Sequence, residues 1–234
     1  MNKTIVALDF STREEVIEFL KGFDKPVYAK IGMDLFYACG HDIVKEVIEM
    51  GHHVFLDLKL HDIPNTVKGG MKNLAKLGVD IVNVHAAGGS AMMRAAIEGL
   101  EEGAVNGKRP LCIAVTQLTS TSQEMMNNEQ GIEGEVIDCV KRFAKNAKDS
   151  GMDGVVCSVH EAKAIHEVCG DDFLTVTPGI RLTDDSADDQ KRIATPQFAK
   201  EQGCDFIVVG RSITKSANPQ ETYWQIEETM TQEV

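Results

Sequence analysis

In the stretch FLDLKLHDIPNT, residues 55–66, Asp57, Lys59 and Asp62 fall within six positions at the end of a run that reads as a β-strand. No cysteine, serine nucleophile or metal-ligand cluster stands beside them. Two carboxylates and an ammonium suit charge chemistry: a positioned ammonium stabilises negative charge as it develops on a substrate and then delivers a proton. Side chains alternate along a strand, so Asp57 and Lys59 share one face while Leu56 and Leu58 share the other. With the leucines against helices, the charged pair faces the interior. Lys30, in the run VYAKI, can reach the same place and make an alternating array of charges. At about 4 Å and an effective dielectric near 20, each opposite pair gains on the order of 4 kcal/mol before desolvation is subtracted. Such an array is costly unless a charged ligand meets it.

Holding those residues requires a scaffold. The chain has 234 residues and 43% hydrophobic content, enough for one large α/β domain. Short β-rich runs occur at 4–8 (TIVAL), 27–31 (VYAKI), 54–58 (VFLDL), 81–85 (IVNVH), 111–115 (LCIAV), 154–158 (GVVCS), 174–178 (LTVTP) and 206–210 (FIVVG). Amphipathic helical patterns lie between them. Phe36, Cys39, Ile43, Val47 and Met50 recur at spacings of three and four, as do Ile132, Val136, Cys139, Phe143 and Ala147. Ser11 with Glu14, and Ser158 with Glu161, have the capping-box spacing of helix starts. Eight strand-then-helix units with near-continuous apolar strands predict a single-domain (β/α)₈ TIM barrel spanning residues 1–234. The competing architecture is an open doubly wound sheet. It lacks its usual glycine-rich fingerprint, because VALDFSTREE places Asp9 after the first strand.

In such a barrel, function gathers where strands end and βα loops begin. Asp9, Lys30, Asp57 with Lys59, His85, Thr119, Arg181, and Gly210 with Arg211 all fall there. Barrel phosphate sites favour the loops after strands seven and eight, where TPGIR and VVGRS stand. Pro178 offers no N–H, but Gly179 and Gly210 permit close backbone approach, and Arg211 can make bidentate contacts to phosphate. The run DDSADDQ, 184–190, reads as a solvated loop or as a lid that carries Gln190 over a ligand.

The net charge of −12 disfavours nucleic acid and anionic membrane as partners. No run approaches the roughly 18 apolar residues of a membrane helix, and MNKTIVALDF lacks a secretory pattern; a cytoplasmic protein is expected. The six cysteines include no C-x-x-C and mostly occupy apolar segments, which predicts reduced, buried thiols.

Taken together, D-x-K-x-x-D-I-P-N-T, the preceding LDF, AKIG around Lys30, QLTS around Thr119, TPGIR and VVGRSI resemble the bacterial orotidine 5′-phosphate decarboxylases along essentially the whole chain. D-x-K-x-x-D alone is also found in sugar-phosphate decarboxylases and synthases of the same superfamily. Those relatives carry an acidic metal ligand near the position of Lys30 and lack the IPNT continuation. The resemblance implies conversion of orotidine monophosphate to uridine monophosphate without cofactor or metal. It implies Lys59 as the acid that protonates C6, Asp57 against the substrate carboxylate, and Lys30 and Asp62 completing the charge network. Asp62, Ile63 and Thr66 are expected to come from the second subunit of a homodimer. Asp9 and Thr66 would hold ribose hydroxyls, Thr119 and Gln190 the base or phosphate edge, and Arg181, Gly210 and Arg211, beside Pro178, the phosphate region. The alternatives are a magnesium-dependent sugar-phosphate decarboxylase, a Schiff-base aldolase using Lys59 as nucleophile, and a non-catalytic nucleotide-binding protein.

Overall fold

Strands that are apolar on both faces need cover on both sides, which a parallel sheet wrapped by helices provides. The computed structural model describes residues 3–182 and 194–232. In it the runs become β1 (Thr4–Ala7), β2 (Tyr28–Gly32), β3 (His53–Leu60), β4 (Ile81–His85), β5 (Leu111–Val115), β6 (Gly154–Val156), β7 (Leu174–Thr177) and β8 (Phe206–Val209). They close in sequence order into one barrel, every strand parallel to its neighbours and β8 paired back onto β1. The helices are α1 (Arg13–Lys21), α2 (Met33–Cys39), α3 (His41–Glu49), α4 (Pro64–Ala75), α5 (Gly89–Gly103), α6 (Val136–Asp149), α7 (Val159–Cys169), α8 (Pro196–Glu201), α9 (Arg211–Thr214) and α10 (Pro219–Thr231). None among the described residues is long and apolar enough to cross a membrane.

Alternation along the strands sorts the core into two layers. Ile5, Tyr28, Phe55, Ile81, Ile113, Val176, Phe206 and Val208 fill the barrel interior. Val6, Ala29, Leu56, Leu58, Val82, Cys112, Val155 and Ile207 pack outward under the helices. Leu56 and Leu58 therefore face helices, as their spacing predicts, and Asp57 points inward.

Three local expectations need correction. The Phe36-to-Met50 pattern is two helices, broken at Gly40, whose φ of 67° lies in the left-handed region that glycine enters without strain. Ile132 precedes α6, which starts at Val136. The first capping box is Thr12 with Glu15, one residue later than Ser11 with Glu14: Glu15 N–H donates to Thr12 Oγ1, and Glu15 Oε2 accepts from Thr12 N–H. The Ser158–Glu161 pair does open α7, with Glu161 Oε2 accepting Ser158 N–H at 2.8 Å. All six cysteines are free thiols, and all but the half-buried Cys39 are buried.

At the N-terminal end of the barrel, carboxylates cap strand starts. Asp80, Asp153 and Asp205, each just before an even strand, accept the N–H of Val54 at 2.9 Å, Cys112 at 2.7 Å and Thr175 at 2.8 Å in the preceding odd strand. For β1 the same service comes from Glu227 of α10, which accepts Thr4 N–H at 2.8 Å. Arg109 also donates twice to Asp153, at 2.6 and 3.0 Å.

Helices α4 and α5 pack backbone to backbone. A Cβ on Gly99 would overlap the Lys68 carbonyl oxygen, and one on Gly103 would overlap that of Lys72. Lys68 pairs with Glu98 at 3.0 Å and Glu102 at 2.8 Å, and Lys72 with Glu102 at 3.0 Å, across the same seam.

Candidate active site

The C-terminal ends of the strands surround a cavity of about 300 Å³, at the small end for ligand pockets. Asp9, Lys30, Asp57, Lys59, Thr119, Pro178, Arg181, Gly210 and Arg211 line it. Asp62, Ile63 and Thr66 do not: they lie exposed at the start of α4, Ile63 with 67% of its surface open. Gln190 lies outside the described residues.

One wall carries the charge array. The Asp57 side chain is 11% exposed. Its Oδ1 accepts from Lys59 Nζ at 2.6 Å, and its Oδ2 lies 3.6 Å from Lys30 Nζ. Lys30 also reaches Asp9 Oδ1 at 3.4 Å, so the charges alternate Asp9, Lys30, Asp57, Lys59. Burial, the largest single influence, pushes the Asp57 carboxyl up. The charges of Lys30 and Lys59 and hydrogen bonds from Lys59 and Asn83 together outweigh it, so Asp57 is held below the usual carboxylate range. Next to this wall, burial and the neighbouring His61 and Lys59 keep the His85 imidazole below the ordinary histidine range, against the opposing pull of Asp57. It adds a neutral group there, not a third cation, near pH 7.

A second wall follows β7 and β8, meeting the array where Asp9 lies beside Gly210. Gly179 has φ 86°, a left-handed conformation that carries the chain from Pro178 to Arg181. Arg181 is 8% exposed and donates through Nη1 to the Ile180 carbonyl at 3.0 Å. Arg211 begins α9 directly after Gly210. The cavity is thus bipolar: an alternating charge array on one side, two arginines on the other.

Two features of the array were not visible in the residue types. Lys59 has φ 51°, a left-handed backbone that costs a non-glycine residue roughly 1–2 kcal/mol. Asn83, 1% exposed on β4, accepts Lys59 N–H at 2.7 Å and donates to Asp57 Oδ1 at 2.6 Å. A lone polar residue at the centre of IVNVH was the only available signal for it.

Comparison with known proteins gives this geometry a family. Residues 2–226 match the model of the orotidine 5′-phosphate decarboxylase / HUMPS family. The chain is 60% identical over 221 residues to the orotidine 5′-phosphate decarboxylase of Bacillus cereus (strain AH187), covering 94% of this chain and 93% of that protein. It is 58% identical to the protein of that name from Bacillus cytotoxicus, covering 96% of this chain and 95% of the relative. Among solved structures, orotidine 5′-phosphate decarboxylase from Lactobacillus acidophilus superposes with a TM-score of 0.90 at 45% identity, covering 99% of this chain and all of the other. An uncharacterized conserved protein from Geobacillus kaustophilus superposes with a TM-score of 0.88 at 50% identity, covering 97% of this chain and 100% of its own. With the match extending over almost the full chain and the fold superposing over 99% of it, the protein belongs to the orotidine 5′-phosphate decarboxylase / HUMPS family.

Proposed function

We propose that the protein is an orotidine 5′-phosphate decarboxylase, a carboxy-lyase that converts orotidine monophosphate to uridine monophosphate and CO₂ in pyrimidine nucleotide synthesis. The observation that carries this reading is the bipolar cavity: Asp57 clasped between Lys30 and Lys59 on one wall, Arg181 and Arg211 on the other. A ligand with a phosphate at one end and a reacting carboxylate at the other matches that polarity. The relatives named above support the same substrate.

In this reading the C6–CO₂ bond breaks, and its electron pair stays on C6 in the plane of the pyrimidine ring, where it cannot delocalise into the carbonyl system. The Lys59 ammonium stabilises that charge as it forms and then donates its proton to C6, leaving a neutral amine that regains a proton from solvent. Asp57 keeps Lys59 protonated and disfavours the substrate carboxylate more than the neutral CO₂ that leaves. Arg181, Gly210 and Arg211 hold the phosphate, so binding energy gained at a distance fixes the reacting end. Asp9 engages the ribose, and Thr119 and Gln190 are assigned by resemblance to the base or phosphate edge. Lys30 stands where a magnesium-dependent sugar-phosphate decarboxylase needs an acidic ligand. A Schiff-base aldolase is disfavoured because Asp57, bonded to Lys59, favours the charged ammonium over the neutral nucleophile.

We further infer a cytoplasmic homodimer with shared sites. Asp62, Ile63 and Thr66 stand exposed outside the lining of their own cavity, which supports their serving a neighbour's. The pure protein is expected to consume orotidine monophosphate in excess EDTA, followed by loss of orotate absorbance; no turnover there would overturn the assignment. Mixing Lys59→Ala with Asp62→Ala protein tests the sharing. Random exchange makes about half the dimers hybrids with one intact site each, so roughly a quarter of wild-type activity returns if Asp62 acts across the interface. No recovery after exchange confirmed by mass assigns Asp62 to its own chain.

A further inference from the structure

The pairing of β3 with β4 breaks beside the reacting lysine. Phe55 pairs with Ile81 and Leu56 with Val82, but the next pair is Leu60 with Val84. Asp57, Leu58 and Lys59 therefore stand opposite a single residue of β4, Asn83. A bulge of this kind leaves strand N–H groups without their ladder acceptors. The Asn83 carboxamide replaces one of them, its Oδ1 accepting Lys59 N–H at 2.7 Å while its Nδ2 donates to Asp57 Oδ1 at 2.6 Å. The partners dictate the orientation of the amide, because a backbone N–H can only donate and a carboxylate can only accept. Asn83 itself is 1% exposed.

We propose that Asn83 is the positioning residue of the decarboxylation site, tying the left-handed backbone of Lys59 to the orientation of Asp57 with one side chain. This rests on the decarboxylase reading above. Few other residues can take its place. Serine and threonine are too short to bridge both groups, leucine offers neither bond, and aspartate keeps the acceptor for Lys59 N–H but turns the donor to Asp57 into a second carboxylate. The consequence is kinetic. With the amide in place, Asp57 Oδ1 is occupied by two donors, and Lys59 is presented to C6 already paired and aligned. Without it, the carboxylate can rotate away and the strained backbone of Lys59 can relax, and a misplacement of about 1 Å is worth on the order of a hundredfold in rate.

The test compares wild type, Asn83→Ala and Asn83→Asp on orotidine monophosphate, with KM and kcat measured separately across pH. Asn83→Ala is expected to lose about a hundredfold in kcat with a much smaller change in KM, since the phosphate wall is untouched. In Asn83→Asp, two carboxyls share the site and hold a proton between them as pH falls. That proton restores the missing donor, so kcat relative to wild type rises towards low pH, while the Asn83→Ala ratio stays flat. Lys59, Lys30, Asp9 and His85 stand on or beside this wall in all three proteins, so the ratio to wild type isolates the new carboxyl. Alanine and aspartate variants with near-wild-type kcat, or a flat ratio for Asn83→Asp, would overturn the proposal. So would loss of folded structure by circular dichroism in both variants, which would make Asn83 a structural residue only. An inactive wild type in the same assay would instead sink the decarboxylase reading itself.

Discussion

The two ends of the barrel use the same residue types for opposite ends. At the N-terminal end, Asp80, Asp153, Asp205 and Glu227 accept backbone N–H groups and so finish the hydrogen bonding of strand starts. At the C-terminal end, Asp57 accepts from the side chains of Lys59 and Asn83, and the backbone beside it is bulged and left-handed at Lys59. At one end carboxylates relieve the backbone; at the other a carboxylate and an ammonium pair beside a left-handed, bulged backbone. The lesson is that charge in a barrel of this kind reports stability or chemistry according to what it is bonded to, and that the two kinds should separate under mutation.

The largest separation is expected for Lys59→Ala. Its kcat should fall by at least about a thousandfold, because both proton donation and charge stabilisation are lost. Binding of uridine monophosphate should persist, and the melting temperature should move by no more than the few degrees that about 1 kcal/mol gives in a chain of this size. A fall of less than about tenfold in kcat would remove Lys59 from the chemistry. Next comes Arg211→Ala, whose lost charge-assisted bonds, about 1.5–3 kcal/mol, should lower kcat/KM on orotidine monophosphate by roughly ten- to a hundredfold. On orotidine lacking its phosphate, mutant and wild type should be nearly equal; an undiminished defect there would place Arg211 elsewhere.

At the other end, Asp153→Ala should leave kcat at 25 °C unchanged while stranding Cys112 N–H and the Arg109 guanidinium. The cost is about 2 kcal/mol, read as a melting temperature lower by roughly 4–8 °C. A loss of activity at full folding would erase the distinction between the two ends. The smallest effect concerns acid. The Asp57 carboxyl titrates lower in the folded chain than in the unfolded one. Its contribution to stability is therefore present above the ordinary carboxylate value of about 3.9 and is lost as pH falls through the folded value. In urea unfolding, the stability advantage of wild type over Asp57→Asn should shrink across that acid window; an advantage that does not narrow would mean Asp57 is not held by the two lysines.

The fold was legible because its signal is repeated. IVNVH and LCIAV match β4 and β5 residue for residue, and the other runs differ by one or two residues at their ends. The ring of polar strand ends was legible for the same reason, since the barrel brings Asp9, Lys30, Asp57, Lys59, Arg181 and Arg211 around one cavity whatever the details of the loops. What stayed hidden depends on single departures from regularity. The bulge in β3 leaves no mark in the residue types, because Asp57 and Lys59 still read as alternating neighbours. Asn83 reads as an ordinary polar interruption until the bulge opposite it is known. Thr12 and Ser11 each stand three residues before a glutamate, so spacing alone could not choose between them. The carboxylates at the N-terminal end, Asp80, Asp153 and Asp205, sit in turns where acidic residues are common; only the strand register shows which N–H each one meets.

The seam between α4 and α5 carries a consequence for how this protein can change over generations. Alanine, the mildest substitution available to a glycine, is barred at positions 99 and 103 because its methyl group would enter a carbonyl oxygen of the facing helix. Drift at this seam is therefore channelled into the ion pairs of Lys68, Lys72, Glu98 and Glu102, where a swap of sign on both sides keeps the attraction and touches no backbone. Lineages can exchange these ion pairs, yet the distance between the two helices is inherited almost without freedom, and with it the height at which the start of α4 displays Ile63.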